Sequence, residues 1–124
     1  MKNVNYKKSL EFSHTSSYRY SLDFNLYGYR RIPIYEMGHM EMMLLEWKPG
    51  SFSPIHAHHD NGCIMVLLEN NLTEKRYCTK TEKLESTNYL PPRKALYIDN
   101  SQNYHSIFNE CKKHNAISLH IYPK

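Results

Sequence analysis

From about Tyr27 onward the chain alternates short apolar runs with turn-forming residues. The runs are YRRIPIY, MEMMLLEW, CIMVLL, LTEKRYCT, ALYI, HSIF and AISLHIY. Between them lie MGH, KPGSFSP, ENN, IDNSQN and one long connection, TKTEKLESTNYLPPRK. Runs of this length bounded by Gly, Pro, Asn and Asp read as β-strands, and no long segment carries a helical period. About seven strands in about a hundred residues predict an all-β domain, a sandwich or small barrel with little helix. Residues 1–21 are rich in Ser, Tyr, Asn and Lys and poor in Leu, Ile and Val. They read as an arm ahead of a single domain over residues 22–124.

Strand parity then sorts side chains by face, because alternate residues point to opposite sides. In AISLHIY, Ser118, His120 and Tyr122 share one face, and Ile117, Leu119 and Ile121 share the other. A surface strand with a wet side fits this pattern as well as a functional face does. The same parity puts Tyr29 beside Arg31, and His56 beside His58.

Composition narrows the function classes. Over 124 residues, 40% are hydrophobic and 23% charged, as in an ordinary soluble domain. The formal net charge of +4 is spread over isolated residues and short pairs such as Lys7-Lys8 and Lys112-Lys113. A nucleic-acid partner is therefore not expected. The N-terminal MKNVNYKKSL lacks an apolar core of a signal peptide, and no run is long enough to span a bilayer. A cytoplasmic monomer without a membrane partner is the expectation, with Cys63, Cys78 and Cys111 as free thiols.

The densest chemistry lies in PIHAHHDNGC, residues 54–63. His56 and His58 on one strand face can reach one ion, although a His-x-His pair alone is more often incidental. Its surroundings are more specific. Gly50 is followed by five residues, His56-x-His58, four residues, Cys63, six residues and Asn70. This resembles the first motif of the cupins: Gly, five residues, His-x-His, three or four residues, Glu, six residues, Gly. His105 and Asn109 resemble the His-x-x-x-Asn of the second cupin motif, whose Pro and Gly are replaced here by Asn100 and Gln102. Asn70 is a mild departure, since Asn tolerates the left-handed backbone a turn requires. Cys63 in place of the Glu is the larger one. Without that carboxylate, His56, His58 and His105 resemble a facial triad in which histidine replaces the acid.

The segment Tyr29–Tyr122 resembles cysteine dioxygenase, a thiol dioxygenase branch of the cupins. The matching stretches are Tyr29-x-Arg31, MLLEWKPGSFSPIHAH, Cys63, LTEKRY, IDNSQNYHSIFN and SLHIY, about three quarters of the chain. The resemblance implies a small double-stranded β-barrel, or jelly roll, that adds both atoms of dioxygen to the sulfur of L-cysteine. It implies Fe(II) on His56, His58 and His105, with Arg31 on the substrate carboxylate and Tyr29 adding a hydroxyl. Arg30 is the rival for that role. It further implies a Ser118–His120–Tyr122 relay and a thioether between Cys63 and Tyr122, so that Cys63 is a covalent partner and not a metal ligand. Ala57 stands where the family often carries an Asp.

Other thiols, 3-mercaptopropionate or cysteamine, and a non-catalytic metal-binding cupin are the alternatives; Arg31 favours a substrate with a carboxylate. The remaining histidines, His14, His39, His59 and His114, read as surface or supporting residues. Cys78 and Cys111 read as small buried residues or idle thiols. Met37, Met40, Met42 and Met43 are expected to fill core beside a turn, and Trp47 to pack at a barrel end.

Overall fold

The computed structural model describes residues 23–57, 62–98 and 104–123. The arm over residues 1–21 and the histidines His14, His58 and His59 lie outside the described residues. The described residues form eight strands in order: β1 (Tyr29–Met37), β2 (Met40–Trp47), β3 (Cys63–Glu69), β4 (Leu72–Tyr77), β5 (Leu84–Leu90), β6 (Ala95–Ile98), β7 (Tyr104–Phe108) and β8 (Ala116–Pro123). They form a five-stranded sheet, β1-β2-β8-β3-β6, and a three-stranded sheet, β5-β4-β7. Every strand pairing is antiparallel. The expected all-β jelly roll is therefore present as two sheets that, among the described residues, do not close into one hydrogen-bonded barrel. Among the described residues there is no helix, and hence none long and apolar enough to cross a membrane.

The one strand not expected is β5, which lies inside the long connection. Its alternation places Ser86, Asn88 and Leu90 on the less exposed side. Ser86 and Asn88 line a cavity of about 490 Å³ together with Met65, Leu67, Glu74 and Leu96. A strand that borders a cavity needs no aliphatic run, so its sequence carries no strand signature.

The core is built from alternate residues of the two sheets. Met43, Leu45 and Trp47 of β2, Met65 and Leu67 of β3, Leu72 of β4, Leu90 of β5 and Ile107 of β7 are all buried, with Tyr29 and Ala116 beside them. Trp47 is a core residue at the end of β2, its ring 4.7 Å from that of Tyr29 and tilted by 32°. Met43 fills core as expected. Met37 and Met40 flank the exposed β1–β2 turn and are themselves exposed, while Met42 points to the outer side and is half-buried. His39 and His114 are exposed, as expected.

Turn chemistry holds the ends of the strands. Asn70 follows β3 with a φ of 61°, the left-handed conformation its motif position requires. Its amide donates to the carbonyls of His114 and Asn115, tying this turn to the approach of β8. Asn109 does the same work on a larger scale. Its Nδ2 lies 3.0 Å from Trp47 O, 3.2 Å from Lys48 O and 3.0 Å from His114 O, and its Oδ1 accepts from Cys111 N at 3.1 Å. It joins the end of β2 to both sides of the β7–β8 connection from a buried position. The second-motif asparagine is therefore a structural clamp. Asn109→Ala is expected to lower stability by about 2–3 kcal/mol, because it strands buried carbonyls and one amide. A urea unfolding midpoint measured beside the wild type tests this.

Candidate active site

The segment Gly50–Ala57 runs antiparallel beside β7 as a ragged extra strand of the smaller sheet. Its backbone bonds are Gly50 N to Asn109 O, Ser53 N to Ile107 O, and a reciprocal pair between His56 and His105, each at 2.8–2.9 Å. Among the described residues only isolated bridges form there, at Phe52 and His56, so the stretch leading to His56 is less regular than a full strand. The reciprocal pair nevertheless sets His56 directly against His105, a residue 49 positions later in the chain.

The two imidazoles meet with Nε2 3.0 Å from Nε2. Each ring has its other nitrogen occupied. His56 Nδ1 donates to the Pro54 carbonyl at 2.7 Å, and His105 Nδ1 donates to Glu74 Oε2 at 2.9 Å. With the Nδ1 protons so engaged, both Nε2 atoms present lone pairs. Burial holds His56 below its ordinary pKa. It holds His105 further below, helped by the charges of His56 and Arg76. Two neutral lone pairs aimed at each other repel unless a cation lies between them. Metal–imidazole bonds of about 2.1 Å meeting at a right angle hold their nitrogens about 3.0 Å apart. The spacing and the donor set fit a metal ion bound at two neighbouring positions. The third expected ligand, His58, lies outside the described residues, and among the described residues no group of three His, Cys, Asp or Glu gathers around one point.

Glu74 was not expected to take part. It has no exposed surface and sits behind His105, and its other oxygen accepts from Arg76 Nε at 2.8 Å and from Asn88 Nδ2 at 3.3 Å. The β4–β7 register pairs Arg76 with His105, so the guanidinium and imidazole are neighbours. A carboxylate that accepts from a ligand's second nitrogen fixes its tautomer and raises its basicity. The parity of LTEKRY held the clue: with Leu72 in the core, Glu74 and Arg76 must face inward too.

The expected Ser-His-Tyr face is brought together inside the molecule. In β8 the polar side is the buried one, while Ile117, Leu119 and Ile121 lie on the outer side, half-buried. Ser118 Oγ lies 2.8 Å from His120 Nε2, and Tyr122 Oη lies 3.2 Å from His120 Nδ1. Trp47 Nε1 donates to Ser118 Oγ at 2.9 Å, a partner that strand parity alone did not reveal. Burial, followed by the charges of Arg31 and His56, pushes the His120 pKa down to about 3.

Arg31 and Arg30 separate cleanly. Arg30 reaches Glu46, with Nε 2.8 Å and Nη2 2.6 Å from Oε1, and its guanidinium covers the Phe24 ring. Arg31 points to the Tyr29 side, 5.7 Å from that ring's centroid, and is paired in register with Leu45, which in turn is paired with Ser118. Tyr29 itself is buried against Trp47. Cys63 is buried at the start of β3, facing inward with Met65 and Leu67. The β3–β8 register pairs Ile64 with Ile121 and, carried one residue further, sets Cys63 across from Tyr122. Burial and the Glu74 charge push the Cys63 thiol up to about 12. Cys78 and Cys111 are half-exposed, and hydrogen bonds lower their pKa values instead, so of the two readings, small buried residue or idle thiol, the first does not hold.

Known proteins resemble this chain in sequence and in fold. The family model described as "Cysteine dioxygenase type I" matches residues 3–124. Cysteine dioxygenase type 1 of Danio rerio is 32% identical over 106 residues, which cover 80% of this chain and 53% of that protein. The Homo sapiens protein of the same name is 30% identical over 90 residues, 68% of this chain and 45% of its own length. The chain thus spans about half the length of these relatives. Among solved structures, a cupin superfamily protein of Desulfitobacterium hafniense superposes with a TM-score of 0.62 at 10% identity, covering 82% of this chain and 83% of its own. The Cnp3 cupin domain of Schizosaccharomyces pombe superposes with a TM-score of 0.65 at 12% identity, covering 84% and 65%. The structural likeness gives a cupin fold. The sequence match over nearly the whole chain gives the family: this chain belongs to the cysteine dioxygenase type I family.

Proposed function

We propose that the chain is an Fe(II)-dependent thiol dioxygenase. It would convert L-cysteine and dioxygen to cysteine sulfinic acid, acting as a cytoplasmic monomer without nucleic-acid or membrane partners. Family membership supports the reaction class. The observation that carries the metal reading is the pair of buried, neutral Nε2 atoms 3.0 Å apart, each with its Nδ1 already bonded. His56, His58 and His105 would hold the iron. When bound, the ion supplies a common position at which the substrate sulfur and dioxygen can meet.

The chain's own residues do the rest. Three neutral imidazoles add no negative charge, so a substrate thiolate is favoured there. Arg31 offers a planar fork to the substrate carboxylate, and Tyr29 would add its hydroxyl from the same side. Arg30 is engaged by Glu46 and is not needed for this role. Cys63, with its thiol raised to about 12, stays protonated at neutral pH and does not compete with substrate as a thiolate. His120 orients the Tyr122 hydroxyl, which would exchange a proton with the reacting groups. A thioether between Cys63 Sγ and the Tyr122 ring would fix that phenol in place. Its formation removes one hydrogen from the thiol and one from a ring carbon, with dioxygen as the oxidant.

These assignments have measurable outcomes. Fe(II)-loaded protein is expected to consume oxygen with L-cysteine and to yield the sulfinic acid. Arg31→Ala should raise KM by about tenfold to a hundredfold, from the loss of about 1.5–3 kcal/mol in a charge-assisted bond, at unchanged iron content. An oxygen electrode with L-cysteine, 3-mercaptopropionate and cysteamine tests both. No consumption with any thiol would leave a metal-binding cupin, and an effect confined to Arg30→Ala would move the carboxylate role. His105→Ala should abolish iron binding. Glu74→Gln should weaken it about 10- to 100-fold, as read by anaerobic titration of Fe(II). After turnover, intact mass should reveal a species lighter by the two hydrogens of the Cys63–Tyr122 bond, absent from Cys63→Ser.

A further inference from the structure

The Ser118–His120–Tyr122 chain can carry its protons in either of two directions, and the partners around it allow only one. Trp47 Nε1 is a donor and never an acceptor, and it donates to Ser118 Oγ at 2.9 Å. Ser118 has no exposed surface. Its own hydroxyl proton must therefore find an acceptor inside the protein. Among the described residues the partners of Ser118 Oγ are Trp47 and His120, and only His120 Nε2, at 2.8 Å, can accept. Ser118 then donates to Nε2. A neutral imidazole that accepts at Nε2 carries its proton on Nδ1 and donates it to Tyr122 Oη at 3.2 Å.

In the reverse arrangement, His120 Nε2–H and the Trp47 indole both donate to one serine oxygen. The serine proton is stranded in a dry site, and an unmade bond of that kind is strongly disfavoured. We propose that Trp47 is a positioning residue: its indole N–H sets the direction of the whole chain, Trp47 to Ser118 to His120 to Tyr122. The Tyr122 hydroxyl accepts from His120, so its own proton is donated away from the relay. Each donor also polarises the next, so the bond Trp47 makes strengthens the ones after it. The neutral state of His120, held by burial to about pH 3, keeps a single ring proton to be placed. What that proton serves rests on the dioxygenase reading; its direction does not.

The test is the tautomer of His120, read from the ¹⁵N shifts of its ring in the 124-residue chain with Zn(II) added as a diamagnetic probe. Wild type is expected to give a protonated, pyrrole-like Nδ1 and a bare, pyridine-like Nε2. Trp47→Phe keeps an aromatic ring against Tyr29 but removes the indole N–H. Water can then enter where the N–H stood and take the serine proton. The two ring nitrogens should shift toward each other as the Nε2–H form becomes populated. With Fe(II) and thiol, kcat should fall while KM is retained, a split that a packing defect alone would not give. A protonated Nε2 in wild type overturns the proposal. So does a Trp47→Phe protein that keeps the pure Nδ1–H form. Should Trp47→Phe not fold, Ser118→Ala breaks the same chain at its second link, and an unchanged Nδ1–H tautomer there counts equally against it. The ring shifts need no turnover, so a protein that oxidises no thiol would fail the proposed function while leaving this inference standing.

Discussion

Strand β8 runs through the middle of the larger sheet with its polar side turned inward, and the architecture around it answers the cost of that choice. Ser118 and His120 lie where an ordinary sandwich would place aliphatic side chains. A buried polar group must be hydrogen-bonded in place. The indole of Trp47 comes from β2 on one side to meet Ser118, and Cys63 and Met65 of β3 close the other side. Met43 and Met65 are the register neighbours of His120, flexible side chains that pack around an imidazole without competing for its bonds. The apolar core is pushed to the Tyr29–Trp47–Leu67–Leu72 end, and the other end is left polar enough to do chemistry.

Charge is distributed with similar economy. The cupin carboxylate that would sit on the metal is replaced by Cys63, yet a carboxylate remains nearby. Glu74 stands one residue back, behind His105, and is held there by Arg76 and Asn88. The negative charge still favours a cation at the histidines, but it does not occupy a coordination position. It also helps keep the Cys63 thiol protonated. Arg31 stands on the opposite sheet with its charge felt at both His56 and His120, where it opposes protonation of either ring.

How far the sequence could be read depended on whether local parity or distant pairing decided a residue's place. The faces of β8, the shared face of Tyr29 and Arg31, and the left-handed Asn70 all follow from alternation or backbone preference, and each is found in the structure. Parity could not say which face of β8 was wet, because aliphatic-out and polar-out patterns are the same string. The meeting of His56 and His105 needs a pairing across 49 residues, and only the spacing of the two cupin-like motifs pointed to it. Glu74, Trp47 and Asn109 owe their roles to partners far along the chain. Strand parity can give the face such a residue points to, but it names none of those partners. Strand β5 was passed over because its inner side borders a cavity and carries Ser86 and Asn88 in place of aliphatic residues.

The inverted polarity of β8 also bears on how this chain reaches its native state. Sliding β8 by one residue against β2 and β3 would turn Ile117, Leu119 and Ile121 inward and expose Ser118, His120 and Tyr122. By burial of apolar surface alone that slipped sheet is the better one, so local hydrophobicity and native topology pull in different directions here. The correct register is held from outside the strand: by Asn70 and Asn109 gripping the carbonyls of His114 and Asn115 just ahead of it, and by Trp47 seeking an oxygen that only the native alignment offers. Frustration is concentrated in the strand that carries the chemistry. Ligands that reward the inward histidine would favour the native pairing as well as the reaction, coupling occupancy of the site to the choice between two sheets.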